Sequence, residues 1–158
     1  MKKILIVDDE KDNLEALKRM LRGQYDVTIA ESPFDALKLL QSQLFHVIIS
    51  DQRMPEMTGV EFLEKARKLT PLSTRILLTG YTDIESVIDS INRGQIYRYV
   101  SKPWEPEEFR MTLRQANEAF RLKKEHLKEC PIPKWEGLVH RFARRECSVN
   151  QLKGEAAA

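Results

Sequence analysis

The sequence predicts an α/β chain built on one parallel sheet with helices on both of its faces. Three observations carry this. Short runs rich in Ile, Val and Leu alternate with segments whose apolar residues recur every three or four positions. The runs are continuously apolar, as in strands buried on both faces, and do not alternate with polar residues. Five strand–helix units fit within about the first 125 residues, and repeated alternation of that kind makes a parallel sheet.

Ile4 to Val7 forms the first strand. Leu14, Leu17 and Leu21 then repeat at helical spacing, and Gly23 supplies a stop. Tyr25 to Ala30 is the second strand. Ser32-Pro33 followed by Asp35 reads as a helix cap with proline at the first helical position, and Phe34, Leu37 and Leu40 form that helix's apolar face. Val47 to Ser50 is the third strand, ending at Asp51. Val60, Leu63 and Ala66 to Leu69 make the next helix, which must end before Pro71. Arg75 to Thr79 is the fourth strand. Ile84, Val87, Ile88 and Ile91 give the fourth helix, stopped near Gly94. Ile96 to Ser101 is the fifth strand, and a long helix runs from Glu105 onward.

The chain has 158 residues, with 26 basic and 24 acidic side chains. That length allows one ordinary domain with a tail. The charge balance does not indicate a nucleic-acid binder. The apolar run after Lys2-Lys3 stops at Asp8, too soon for a signal peptide or a membrane span, so the expected location is the cytoplasm. Both cysteines, Cys130 and Cys147, lie late, which excludes a disulfide framework for the first 129 residues.

The polar residues that interrupt the strand pattern share one kind of position. Asp8 and Asp9 follow the first strand, Asp51 the third and Lys102 the fifth, while Thr79 ends the fourth. Ligands of open parallel sheets bind outside the carboxyl ends of the strands, so these side chains should converge on one crevice. Taken singly, an Asp-Asp pair reads equally well as a solvated turn, a terminal threonine as structural and a lysine before proline as solvent-facing. Their coincidence at one end of four strands favours a site. Three crowded carboxylates call for a hard divalent cation, and all-oxygen ligands favour Mg²⁺ (or Mn²⁺). A hydroxyl and an ammonium beside that cation suit a phosphoryl group. A carboxylate can itself be the nucleophile, giving an aspartyl-phosphate.

Ile4-Leu5-Ile6-Val7-Asp8-Asp9-Glu10, Asp51-Gln52-Arg53-Met54-Pro55-Glu56-Met57-Thr58-Gly59, Leu77-Leu78-Thr79-Gly80 and Tyr99-Val100-Ser101-Lys102-Pro103 resemble, in order and spacing, the receiver domain of two-component response regulators. The resemblance covers residues 2 to about 122. It implies a flavodoxin-like doubly wound sheet of strand order 2-1-3-4-5. It also implies that Asp51 accepts a phosphoryl group from a histidine kinase or phosphotransfer protein. Asp9 and Asp51 would be direct Mg²⁺ ligands, joined by the main-chain carbonyl of Arg53, with Asp8 acting largely through water. Thr79 and Lys102 would contact the phosphoryl oxygens. Thr79 and Tyr99 would form the switch that reshapes the surface of the fourth helix, fifth strand and fifth helix, and the Lys102-Pro103 bond would be cis. Arg53 and Tyr81 depart from the family's commonest small or polar residues at positions that control water access, so they are expected to lengthen the phosphoryl lifetime.

The variant Asp-Gln-Arg-Met-Pro with Lys-Pro-Trp is similar to receivers of hydrogenase-type transcription activators, and to receivers fused to cyclic-dinucleotide phosphodiesterases. The implied role is signalling, with no enzymatic activity beyond the domain's own phosphorylation and dephosphorylation. A small aspartyl-phosphate phosphatase is the alternative. That chemistry usually wants a second aspartate two residues after the nucleophile, where this chain has Arg53. A flavin module is disfavoured because no Ser/Thr/Gly-rich phosphate loop follows the first strand.

Phe109, Leu113, Ala116, Phe120 and Leu127 keep a heptad rhythm in which Lys123 is the one polar core position. Continuation past Arg121 as a parallel coiled coil would join two chains and link the receiver (1–122) to a missing effector domain. A frayed amphipathic helix is the competing reading. Cys130-Pro131-Ile132-Pro133 should break the helix. Trp135, Leu138, Val139 and Phe142 allow one more amphipathic helix within a tail, 123–155, of unassigned role. His126, Cys130, His140 and Cys147 fit no standard zinc spacing, and Arg141, Arg144 and Arg145 read as a solvated face. Ala156-Ala157-Ala158 reads as an appended remnant. Residues 1–104 hold 15 basic and 15 acidic side chains, and residues 109–153 hold 11 and 5, so a neutral core is followed by a basic extension.

Overall fold

Strands and helices alternate through the described residues, 1–92 and 96–128, of the computed structural model. In order these are β1 (Lys3–Val7), α1 (Lys11–Leu21), β2 (Asp26–Ala30), α2 (Pro33–Ser42), β3 (Val47–Asp51), α3 (Gly59–Leu69), β4 (Thr74–Thr79), α4 (Ile84–Asn92), β5 (Arg98–Ser101) and α5 (Pro106–Lys128). A single 3₁₀ turn, Tyr81–Asp83, leads into α4. The strands pair in parallel in the order β2-β1-β3-β4-β5, as the sequence predicted. Met1–Phe120 forms one compact unit, and a second begins at Arg121. Within the second unit Arg121 pairs with Glu125 one turn along α5. The Tyr81 side chain, Gly94, and the tail from residue 129, with Cys130, His140, Cys147 and the helix expected around Trp135, lie outside the described residues.

Two apolar layers hold the sheet. On one face Leu5, Val7, Ile48 and Leu77 pack with Ala36 and Leu40 of α2, Phe62 and Leu63 of α3, and Val87 of α4. On the other, Ile4, Ile6, Ile49 and Leu78 pack with Leu14 and Leu17 of α1 and with Phe109, Leu113 and Ala116 of α5. Burial of each such side chain contributes about 1.5–3 kcal/mol. Two expected helix faces are rotated. Phe34 is exposed, and Pro33 and Ala36 are buried with Leu40 instead. In α4 only Val87 of the four expected residues is fully buried, and Ile88 is exposed. Short helices rich in apolar residues offer more than one candidate stripe, and the crossover geometry selects among them.

The helix starts follow their local chemistry. Ser32 Oγ accepts from the Phe34 N–H, with Pro33 at the first helical position. Thr58 and Glu61 form a reciprocal capping box at α3. Gly23 adopts a left-handed φ of 80° after α1, where a Cβ is disfavoured.

Gly59 answers to a steric constraint. A Cβ there would lie 2.2 Å from the Asp51 carbonyl oxygen and 2.6 Å from Leu77 Cδ1. The Gly59 N–H also bonds the Gln52 carbonyl at 3.0 Å, closing the loop that leaves β3. Gly59→Ala is therefore expected to destabilise the domain by about 1–3 kcal/mol in urea unfolding. Gly80, at φ −78° with no atom within 4 Å of a built Cβ, is the control: Gly80→Ala should shift stability by about 0.5 kcal/mol or less. Equal stability of the two variants would contradict the close-approach argument.

Candidate phosphoryl and metal site

Register explains why distant residues meet. Val7 pairs with Ser50, Asp51 with Leu78, and Thr79 with Ser101, so the strand ends lie level. Backbone bonds carry each ladder past the strand: Asp8 N–H to Ala30 O at 3.2 Å, Gln52 N–H to Leu78 O at 3.0 Å, and Lys102 N–H to Thr79 O at 2.9 Å. The Lys102–Pro103 peptide is cis. Asp8, Asp51, Thr79 and Lys102 thus rise from one rim of the sheet, with Asp9 next to Asp8.

Asp8, Asp9 and Asp51 each offer a carboxylate oxygen, and these oxygens all lie within 4.8 Å of one another. Lys102 Nζ sits 2.6 Å from Asp51 Oδ1 and 3.8 Å from Asp8 Oδ2. Asp8, Asp51 and Thr79 are buried, and Asp9 is exposed. One ammonium against three carboxylates leaves two negative charges uncompensated when all are ionised, which matches a dication. The hard oxygen donors suit Mg²⁺ in kind, so the residues fit the metal that the fold family implies.

Asp8 registers the strain of this crowding. Burial, with the Asp51 charge adding to it, raises its carboxyl from the usual 3.8 to about 6, against the opposing Glu10 N–H, Lys102 and Asn13. Its Oδ1 accepts from Glu10 N–H at 2.9 Å and its Oδ2 from Asn13 Nδ2 at 3.2 Å. Two of its lone pairs are thereby already used by the chain. Thr79 Oγ1 donates to the Gly80 carbonyl at 3.3 Å. Tyr99 lies on β5 opposite Leu77 and is 37% exposed.

Arg53 extends across the loop region. Its guanidinium makes a two-pronged bond to Asp83, Nε to Oδ2 at 2.8 Å and Nη2 to Oδ1 at 3.0 Å, and Nη2 also donates to Thr82 Oγ1 at 3.3 Å. Asp9, Gln52, Arg53, Thr58 and Asp83 help line a cleft of about 440 Å³ beside the acidic cluster. Gln52 Oε1 accepts from the Val60 N–H at 3.1 Å, which fixes the loop on α3. Sequence reasoning missed Asn13, Gln52 and Asp83. Asn13 carried a signal, since it sits one helical turn after Glu10 on the helix that follows Asp8. Asp83 carried none, because its partner is 30 residues away.

The sheet order and this rim define a class of aspartate-centred signalling domain. The profile of the response regulator receiver domain matches residues 4–114, and the chain belongs to that family. It is similar to the hydrogenase transcriptional regulatory protein HoxA of Bradyrhizobium diazoefficiens, 42% identical over 122 residues, covering 77% of this chain and 25% of that protein. The chain thus spans about a quarter of that regulator's length. Among solved structures it resembles one described as an adenylate cyclase from Rhodopirellula baltica, with a TM-score of 0.77 and 35% identity over 81% of this chain and 98% of that one. It also resembles the signal receiver domain of an HD domain-containing protein from Pseudomonas fluorescens Pf-5, with a TM-score of 0.74 and 38% identity over 78% of this chain and 92% of that one. Among the described residues no helix is long and apolar enough to cross a membrane.

The raised Asp8 carboxyl gives a pH prediction with a definite sign. Without divalent cation, the Asp8 carboxyl holds more proton in the folded than in the unfolded chain between about pH 4 and 6. Asp8 protonation therefore favours the fold at low pH, and that contribution is lost as pH rises through about 6. Carboxyl ¹³C NMR should show Asp8 titrating near 6 without Mg²⁺ and clearly lower with it. An Asp8 titration in the ordinary carboxylate range in the cation-free protein would contradict the crowding argument.

Proposed function

We propose that this chain is the phosphoacceptor module of a two-component pathway and that Asp51 receives the phosphoryl group. The observation that carries the reading is the Lys102 ammonium 2.6 Å from Asp51, beside two further carboxylates at the rim of a receiver-family sheet. An Asp51 oxygen attacks phosphorus, the P–N bond of a kinase or phosphotransfer phosphohistidine breaks, and the departing imidazole takes a solvent proton. Asp9, Asp51 and the Arg53 carbonyl would hold Mg²⁺ (or Mn²⁺), and Asp8 would act through water. The existing bonds of Asp8 to Glu10 and Asn13 support that division. Bound there, the cation would neutralise charge on the transferring oxygens.

Lys102 supplies a second positive charge, and Thr79 a hydroxyl for the phosphoryl oxygens. To serve the phosphoryl group, Thr79 must exchange its bond to the Gly80 carbonyl. That exchange would draw the segment after β4 inward and let Tyr99 leave its exposed position. The two packings would differ at the surface of α4, β5 and α5, which is how the modification would reach an output domain.

A receiver of residues 1–122 followed by a tail, 123–155, suits such a role, because the similar hydrogenase regulator is about four times the length of the matched segment. Pairing of two chains through α5 and its continuation would bring two outputs together, and a dimeric mass in solution is its test. The phosphatase alternative is weaker, because Arg53 stands where the proton donor would be and an arginine guanidinium does not give up a proton.

Acetyl phosphate with Mg²⁺ should add one phosphoryl group, read by intact mass, and Asp51→Asn should abolish it. Turnover of phosphate esters without a stable adduct would favour the phosphatase. Arg53 and Tyr81 are read as shielding the adduct from water. Arg53→Asn and Tyr81→Ala should therefore each shorten its half-life, by roughly threefold or more. Unchanged half-lives in both variants would remove that shielding role.

A further inference from the structure

Arg53 and Asp83 lie in different loops. Arg53 follows β3, and Asp83 ends the 3₁₀ turn between β4 and α4. The guanidinium meets the carboxylate through two hydrogen bonds, at 2.8 and 3.0 Å, and adds a third to Thr82. This fork fixes the plane of the guanidinium, which a lysine could not do. The Arg53 side chain is 74% exposed, whereas its anchor Asp83 is only 21% exposed. A sheltered carboxylate thus displays a charged plate at the surface.

That plate is next to the phosphoryl site. Arg53 and Asp83 line the same cleft as Asp9, which offers a carboxylate oxygen within 4.8 Å of one from Asp51. The Asp83 carboxyl is held below its usual range, chiefly by the Arg53 hydrogen bond, so it stays ionised at neutral pH.

We propose that Asp83 is a positioning residue: it clasps the Arg53 guanidinium across the mouth of this cleft, and the clasped plate limits water's access to the phosphoryl group on Asp51. The inference rests on the reading of Asp51 as phosphoacceptor. Freed from Asp83, a long side chain this exposed spreads over its rotamers and covers the mouth only part of the time. An ion pair with one partner this open to water adds little to folding stability, so its removal leaves the domain folded and the kinetic effect readable.

The test uses the full chain and four variants: Asp83→Ala, Arg53→Ala, the double variant and Asp83→Glu. After acetyl phosphate is removed, Asp83→Ala should shorten the adduct's half-life by roughly the same factor as Arg53→Ala, threefold or more. The double variant should be no faster than either single one, because both remove the same clasp. Asp83→Glu should recover most of the parent's half-life. In the unphosphorylated protein, the Arg53 Nε–H resonance should be slow to exchange with water and should lose that protection in Asp83→Ala. A parent-like half-life in Asp83→Ala, or single effects that multiply in the double variant, would overturn the clasp. If the parent forms no adduct at all, the phosphoacceptor reading fails instead, and the proposal fails with it. The Nε–H signal then still separates a wrong site from an absent clasp.

Discussion

Mutual repulsion among the Asp8, Asp9 and Asp51 carboxylates is the constraint around which the strand ends are organised. One oxygen from each lies within 4.8 Å of the others, and two of the three, Asp8 and Asp51, are buried where water screens charge poorly. A parallel sheet can hold like charges this close because the strands beneath are bound independently of them. Ile4, Leu5, Ile6 and Val7 are fully buried, as are Val47, Ile48 and Ile49. The apolar layers fix the backbone, and the level register then carries Asp8 and Asp51 to adjacent positions. Stability comes from the layers and reactivity from the rim.

The chain offsets only part of the repulsion. Lys102 compensates one charge, and the Glu10 N–H and Asn13 amide stabilise the Asp8 carboxylate. What remains favours either a proton or a cation, and the Asp8 carboxyl, raised chiefly by its burial and further by the Asp51 charge, holds a proton more readily than usual. The same excess of negative charge makes the site responsive on the proposed function. A cation and a phosphoryl group arriving together would alter the charge around Thr79, which ends β4, and Lys102, which follows β5, beside the α4, β5 and α5 surface. The Arg53–Asp83 clasp is a second electrostatic element, built between the loops outside the buried cluster.

Most of the sheet was legible because β1, β3 and β4 contain continuous apolar runs and α2 starts at a Ser32-Pro33 cap. Residues at strand ends could be located before any geometry, since their position follows from topology alone. Which helix face turns inward was less legible. Phe34 reads as core by spacing, yet Ala36 and Pro33 are buried in its place, because a short helix offers more than one apolar stripe. Arg75 opens a strand in the pattern and is in fact buried, its Nη1 donating to the Ser73 carbonyl at 2.8 Å. Burial brings its pKa down to about 10, so it stays charged at neutral pH. Periodicity cannot reveal a charged side chain folded back onto its own strand's entry. Arg53 with Asp83 was invisible for a related reason: an ion pair between loops has no spacing rule.

If the crowding of these carboxylates organises the strand ends, they should take up a divalent cation before any phosphoryl group arrives. A Mg²⁺ titration followed by amide NMR tests it most directly. Saturable shifts concentrated at Asp8–Glu10 and Asp51–Met54 are expected, as is their loss in Asp9→Asn. Absence of saturable shifts at millimolar Mg²⁺, or equal shifts in Asp9→Asn, would contradict it.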